Sequence, residues 1–393
     1  MSLKIEFVDR AKQRNANISA LCREYEISRD TGHRWLKRFL DVGYAGLEEK
    51  SRRPRSAPLS TAEDIVAEVL ALREAHPTWG PTKLLALLEA KFKAAAPSRA
   101  TVTRILQRFA LVRRRRRRLP RTVATNAPTV FAKKSNDVWT MDFKGWWRTG
   151  DGARCDPFTV RDAWSRYVLS VRIMEPTAAA VRAECLRLFR RYGRPAVIQT
   201  DNGEPFCSVQ SRGGLTRLSA WWVALGIRVV RSRVGKPQDN GAHERMHRDM
   251  KAEVQSAPQA NLRAEQRALD RWRQTFNHVR PHEALGGKTP AALYRPKASH
   301  VLLERRPSYP DTWLVKRAHN HGRLSLWGNV IHVGRAFEGH LIGIEPCGEC
   351  HVRLWFHDID LGEAKVTPPT AALDAATQKF WMRQTSPKRA KSR

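Results

Sequence analysis

Residues 138–143 read Val138-Trp139-Thr140-Met141-Asp142-Phe143, a short β-type run holding a single acid. An unpaired carboxylate in such a run is expensive to bury. Downstream of it, Phe158-Thr159-Val160 to Trp164 and Tyr167 to Ile173 read as two more strands. Thr177 to Tyr192 has a helical pattern, Ala196 to Thr200 that of a buried strand, and Leu215 to Leu225 that of a helix. Ile227 to Arg231 is a further strand and Asn240 to Val254 a further helix. The order β-β-β-α-β-α-β-α predicts an α/β domain with a mixed central sheet over residues 135–297.

The flanks differ in kind. Ile18, Leu21, Cys22 and Tyr25 recur at helical spacing, and Ser28 is a candidate N-cap for a second helix with Trp35, Leu36, Phe39 and Leu40 as its apolar face. Arg29, His33, Arg34, Lys37 and Arg38 give that helix a basic face. Two short helices with a basic second one suggest a helix-turn-helix domain over residues 1–52, whose second helix would lie in a major groove; a small helical bundle with a solvated basic face is the plainer alternative. Residues 51–60 form an Arg-, Pro- and Ser-rich linker. A second helical domain, expected over 53–112, is interrupted at His76-Pro77-Thr78-Trp79-Gly80-Pro81, with Ser98 as the N-cap of its last helix. Arg113-Arg114-Arg115-Arg116-Arg117-Arg118 opens a basic linker over 113–134; such a run cannot pack in a core and is suited to tracking phosphates. From about residue 298 to 368 short β runs separated by turns predict a small, SH3-like barrel, and residues 369–393 a basic tail.

Composition fits that layout. The chain has 71 Lys plus Arg against 38 Asp plus Glu in 393 residues, a formal net charge of +33, with 41% hydrophobic residues. The hydrophobic share can build cores, which excludes wholesale disorder. A surplus of positive charge that large repels itself unless a polyanion is close by, and nucleic acid is the expected one. No stretch approaches the roughly 18 to 20 apolar residues of a membrane span, Met1 to Arg14 holds no secretion signal, and six cysteines make no disulfide scaffold, so a reducing cytoplasm is expected.

Three acids form a candidate constellation: Asp142 in its strand, Asp201 where the apolar run Val197-Ile198 gives way to Asp201-Asn202-Gly203, and Glu244 on the helix after Gly235-Lys236-Pro237-Gln238-Asp239-Asn240-Gly241. Each alone is ordinary, as a strand-end cap, a turn residue and a helix surface residue. As a set, they could converge on two divalent ions roughly 3.5 to 4 Å apart, with Asp142 bridging both. Hard oxygen ligands favour magnesium, with manganese as its substitute. His247, Arg248 and Lys251 follow Glu244 at helical spacings and are expected on its face, where a DNA backbone could lie.

At these residues the chain resembles the integrase-type family of bacterial insertion-sequence transposases, closest to the insertion sequence 481 group and related to retroviral integrases. The resemblance is carried by Val138 to Gly145, Thr200-Asp201-Asn202-Gly203-Glu204-Pro205-Phe206, Gly235 to Arg245, and Asn277-His278-Val279-Arg280-Pro281-His282-Glu283-Ala284-Leu285 followed by Thr289-Pro290. It implies an RNase H-like catalytic domain, an Asp-Asp-Glu triad with magnesium or manganese, helix-turn-helix domains that bind element ends, and assembly as a multimer on paired ends. Asp201 and Glu244 lie further apart than is usual in the family; a loop near Cys207 to Gly214 could absorb the excess. Ala242 and His243 also depart from the commoner sequence.

The reading is a recombinase that cuts DNA ends and joins them to a target. Its rivals are a nuclease that cuts without joining and a non-catalytic DNA-binding regulator. Cys347-Gly348-Glu349-Cys350-His351 matches a haem-attachment string, but with no export signal it reads as a hairpin turn. Trp146-Trp147 and Trp221-Trp222 are expected to pack rather than to stack on bases.

Overall fold

The computed structural model describes residues 2–49, 61–112, 130–233, 240–297, 303–348 and 350–367. The chain divides into two compact units, Met1–Ala62 and Glu63–Arg393. The Arg113 to Arg118 run, the 51–60 linker, residues 234–239 and the basic tail lie outside the described residues.

The first unit holds α1 (Ser2–Ala11), α2 (Ile18–Glu24), α3 (Arg29–Val42) and a 3-10 turn, Gly43–Leu47. Asn17 caps α2 by accepting from Ala20 N at 3.1 Å. Ser28 caps α3, accepting from Thr31 N at 3.2 Å as its position suggested. Phe7, Val8, Leu21, Cys22 and Leu47 make the core, with Trp35, Leu36 and Phe39 packed on it. Leu40, expected on that apolar face, is instead 80% exposed, because Phe39 already takes the inward position. α2 and α3 meet at Gly32, where a Cβ would lie 2.6 Å from Cys22 Sγ and 2.8 Å from the Phe7 ring.

The second unit begins with α4 (Glu63–Ala75), α5 (Pro81–Phe92) and α6 (Arg99–Arg108), closed around Val69, Trp79, Leu84, Leu88, Val102 and Leu106. Ser98 caps α6 through Thr101 N at 3.2 Å.

Its α/β part contains β1 (Val138–Phe143), a small hairpin of β2 (Trp147–Arg148) and β3 (Arg154–Cys155), β4 (Pro157–Asp162), β5 (Val168–Ile173), α7 (Ala178–Tyr192), β6 (Val197–Thr200), α8 (Arg217–Ala224) and β7 (Arg228–Arg231). Next come α9 (Gly241–Met250), which runs into a π turn at Lys251–Gln255, and α10 (Leu262–Gln274), which runs into another at Thr275–Val279. The sheet order is β5-β4-β1-β6-β7, antiparallel from β5 to β1 and parallel from β1 to β7, the mixed sheet the sequence predicts. Strand alternation sorts the faces. Trp139, Met141, Phe158, Val160 and Ile198 pack with α7 and α8. The opposite face takes α9 and α10, through Val168, Val171, Met246, Met250, Leu269 and Trp272. Thr140 and Asp142, alternating with Trp139 and Met141, therefore turn toward α9.

The last part holds β8 (Leu314–Arg317), β9 (Arg323–Leu326), β10 (Asn329–His332), β11 (Leu341–Gly348), β12 (His351–Phe356) and β13 (Ile359–Lys365). The expected barrel is not formed among the described residues: a four-stranded sheet, β13-β12-β11-β8, and a separate β10-β9 hairpin share one core. The chain leaves β10 through Gly334, at φ 108°, and a 3-10 turn at Arg335–Phe337, so the hairpin does not extend its ladder into β11. Ala220, Val223 and Ala224 of α8 cover the side left open. The long stretch between β6 and α8 serves this contact, since the Arg212 side chain donates to the carbonyls of His332, Leu361 and Glu363 at 3.1, 3.0 and 3.1 Å.

Candidate active site

β1 and β6 run parallel, with Thr140 beside Gln199. Two residues further along the chain from each stand Asp142, still in β1, and Asp201, just past the end of β6, toward the carboxyl end of the parallel strands, where α/β sheets place ligands. Glu244 lies in the first turn of α9, the helix that covers this face. The electrostatics agree that the three have gathered. The Asp142 carboxyl is pushed up from 3.8 to about 7, first by burial, then by the charge of Asp201 and, more weakly, by that of Glu244; Lys144 and a backbone hydrogen bond pull the other way. Burying one carboxylate among others makes its ionised form costly until a cation arrives. Asp201 and Glu244 are exposed, leaving both open to solvent.

Two histidines hold α9 to the strands. His243, fully buried, hydrogen-bonds Thr140 Oγ1 through Nδ1 and Thr159 Oγ1 through Nε2, both at 2.7 Å. His247 Nε2 meets the same Thr159 hydroxyl at 2.8 Å, and its Nδ1 lies 3.8 Å from Asp142 Oδ2. Thr159 also donates to the Asp142 carbonyl at 2.9 Å. Burial, reinforced by neighbouring positive groups, drives the His247 imidazole down to about 3 and His243 well below its ordinary value, so both are neutral. His247 was expected on the face of Glu244 with Arg248 and Lys251, where a DNA backbone could lie. It is 8% exposed and turned into the protein, while Arg248 and Lys251 are exposed as expected. The helical spacing was right, but the face that carries Glu244 to the acids must carry the residue three positions on toward the sheet.

Asp142, His243 and His247 bring potential metal-ligating atoms within 4.8 Å of one another. His243 has already given both nitrogens to threonines, leaving one carboxylate and one imidazole nitrogen from that set. The carboxylates of Asp142, Asp201 and Glu244 are the better match to a hard divalent ion. Lys144 lies within electrostatic reach of both Asp142 and Lys251 and is pulled below its ordinary pKa, by burial first, so cations flank the acids.

Sequence reasoning missed a second tier. Arg280, 2% exposed, binds Asp249 at 2.6 Å and Glu253 at 3.0 Å, tying the closing segment to the helix of Glu244. Thr78 of the preceding helical module donates to the same Glu253 at 2.6 Å. Asn277 brackets Val168 of β5, accepting from its N–H at 2.8 Å and donating to its carbonyl at 2.9 Å. Both belong to the Asn277 to His282 segment that carried part of the resemblance, which was the available signal. Of the basic residues singled out on α3, Arg29, Arg34 and Lys37 are all exposed; Arg114, Arg115 and Arg116 lie outside the described residues.

Two models described as integrase core domain match residues 132–237 and 225–290. A helix-turn-helix domain model matches 3–55 and a homeodomain-like domain model 31–106. An uncharacterized 39.2 kDa protein of insertion element IS476 from Xanthomonas euvesicatoria is 25% identical over 273 residues, 67% of this chain and 75% of the relative. An uncharacterized 31.7 kDa protein of insertion element IS407 from Burkholderia multivorans is 26% identical over 231 residues, 58% and 80% of the two chains. Among solved structures, the HTLV-2 integrase catalytic core determined with magnesium is 19% identical, with a TM-score of 0.33, over 42% of this chain and all of that one. The chain of a simian T-cell lymphotropic virus intasome is 16% identical, with a TM-score of 0.35, over 74% and 100%. Helix-turn-helix modules set ahead of an integrase core domain, in a chain whose relatives come from insertion elements, support a transposase or integrase function in DNA transposition, that of a polynucleotidyl transferase.

Proposed function

We propose that Asp142, Asp201 and Glu244 are the catalytic and metal-holding residues, and that the enzyme cuts the ends of its element by water attack and then joins the freed 3'-hydroxyl to target DNA. The observation that carries this reading is the raised Asp142 carboxyl, which feels both other acids, with Asp142 and Asp201 each two residues beyond the paired Thr140 and Gln199. Two magnesium ions, replaceable by manganese, would supply activation of the attacking oxygen and stabilisation of the leaving one. Asp142, whose carboxyl feels both other acids, would hold the ions together with Asp201 and Glu244. The neutral His243 and His247 keep α9, and with it Glu244, seated on the strands without adding positive charge of their own.

Lys251 and Arg248, exposed on that helix and the turn after it, would hold the DNA backbone near the acids. Arg29, Arg34 and Lys37 would face a major groove, and Arg114, Arg115 and Arg116 would track phosphates. The domain limits proposed are 1–52 and 53–112 for the two DNA-binding modules, 113–134 for the linker, 135–297 for the RNase H-like core, 298–368 for the β module and 369–393 for the tail. Membership of the insertion sequence 481 group, assembly on paired element ends and action at the bacterial nucleoid belong to the same proposal.

Asp201→Asn tests it: magnesium-dependent cleavage of an element-end duplex should disappear while DNA binding persists. Cleavage that survives the substitution overturns the site. Cleavage without joined product in the wild type would make the chain a nuclease.

A further inference from the structure

The hairpin that follows β1 has two unlike faces. β2 and β3 pair Trp147 with Cys155 and Arg148 with Arg154. Trp147, 6% exposed, and Cys155, fully buried, point inward and join Met246 and Met250 of α9 in one cluster. Trp147 Nε1 also donates to Glu265 at 3.2 Å. Alternation turns Arg148 and Arg154 outward, and Trp146, the residue before buried Trp147, is 53% exposed. Both guanidiniums lie against the Trp146 indole, 5.8 and 5.1 Å from its ring centre. The sequence had suggested packing for both tryptophans of this pair; the structure buries one and opens the other.

This outer face is held firmly. Arg154 binds Asp156 through two nitrogens, at 2.7 and 2.9 Å, and Arg148 donates to the Gly152 carbonyl at 2.7 Å. The hairpin tip is pegged where the Gly150 and Asp151 N–H groups donate to Gln259 and Ala260 at 2.8 and 2.9 Å. Two arginines directly across a strand pair repel one another, and an open indole adds nothing to the ribbon's own stability. Together they present a half-exposed indole with two guanidiniums held over it, a combination of aromatic and cationic groups suited to a nucleobase and its phosphates. The surface stands four residues along the chain from Asp142, beyond Lys144.

A base inside a duplex has its faces covered by its neighbours. An indole can take a base face only when that base has left the stack. We propose that Trp146, with Arg148 and Arg154, is a stacking site for an unpaired DNA base next to the cut. This rests on the reading of Asp142, Asp201 and Glu244 as the cutting site.

The test uses the full chain carrying Asp142→Asn, with two DNA probes of one sequence: a duplex with a single-stranded 3' end bearing aminopurine, and a blunt duplex with that base paired. The unpaired probe should bind tighter by on the order of tenfold, with quenched aminopurine fluorescence. Adding Trp146→Ala should erase both the preference and the quenching, while Trp146→Phe should keep most of each. Arg148→Gln should weaken binding and make it less sensitive to salt. Equal binding of the two probes, or a preference and quenching that survive Trp146→Ala, overturns the stacking site. Metal-dependent cleavage by the chain with Asp142 restored, and its loss with Asp142→Asn, is measured separately. Failure there strikes the cutting-site reading, whereas failure of the probes strikes Trp146 alone.

Discussion

Asp142→Asn should make the metal-free protein more stable, and the gain should grow with pH. In the folded chain the carboxyl sits at about 7, against an ordinary 3.8, so the native state holds its proton more tightly than the unfolded state does. Stability from this group is intact below about pH 4, falls as pH rises toward 7, and is fully lost above that. The shift corresponds to about 4 kcal/mol at pH 8 and between about 1 and 2 kcal/mol at pH 5, at 1.36 kcal/mol for each pH unit crossed. Relaxation of exposed Asp201 and Glu244 will trim the first figure, so a gain of roughly 2 to 4 kcal/mol at pH 8 is expected. Asparagine keeps the shape and removes the charge. Urea unfolding in chelator, followed by tryptophan emission, should show a larger advantage for the variant at pH 8 than at pH 5; Trp139 and Trp222, fully buried, report the catalytic core. Magnesium should then reverse the order, stabilising the wild type and not the variant. A variant less stable than wild type at pH 8 without metal, or equally favoured at both pH values, refutes the claim that crowded, buried negative charge raises this carboxyl.

Three further outcomes follow from the packing. Arg280→Met should cost about 3 to 5 kcal/mol in the urea midpoint, because Asp249 and Glu253 would lose the cation that joins them; a change under 1 kcal/mol would mean the hub is not holding α9. Asn277→Leu should cost about 1 to 3 kcal/mol by stranding the Val168 N–H and carbonyl, with hydrogen exchange quickening at β5 and not at β7. Gly32→Ala should overpack α2 against α3 by about 1 to 3 kcal/mol. That variant should lose DNA binding by the first unit yet keep magnesium-induced stabilisation of the second, and a joint loss of both would contradict their separation.

The sequence displayed the α/β order because each element there has one dominant period. β1 alternates, α7 follows Thr177, which accepts from Ala180 N at 3.3 Å, and Val197-Ile198 is buried on both sides. It displayed the acids because a carboxylate within Val-Trp-Thr-Met-Asp-Phe needs a reason. It did not display α10, whose thirteen residues are mostly polar and whose apolar contacts come chiefly from Leu269 and Trp272, with Ala268 beside them. The β module was read as a barrel because strand runs and turns look alike whether a sheet closes or leaves its open side to a helix, and the covering residues, Ala220, Val223 and Ala224, lie far upstream. His247 shows the same limit at the site. Spacing fixed its neighbours on α9, but which side of the helix meets the sheet depends on Thr140 and Thr159, brought there by pairing across the sheet.

That seating also explains why acids stand at the centre of so basic a chain. In the proposed site, Asp142, Asp201 and Glu244 place a cluster of acids where a DNA phosphate has to enter, and alone their negative charge would turn it away. On the proposed reading, two divalent cations reverse the sign of the site, so the backbone is admitted only once the carboxylates are loaded. Neutral His243 and His247 matter to this arithmetic. Protonated, His247 would compete with the cations for Asp142; buried and bound to threonines, the two contribute shape without charge. On the same reading, Lys144 and Lys251 would then attract the phosphate from the rim of the acids.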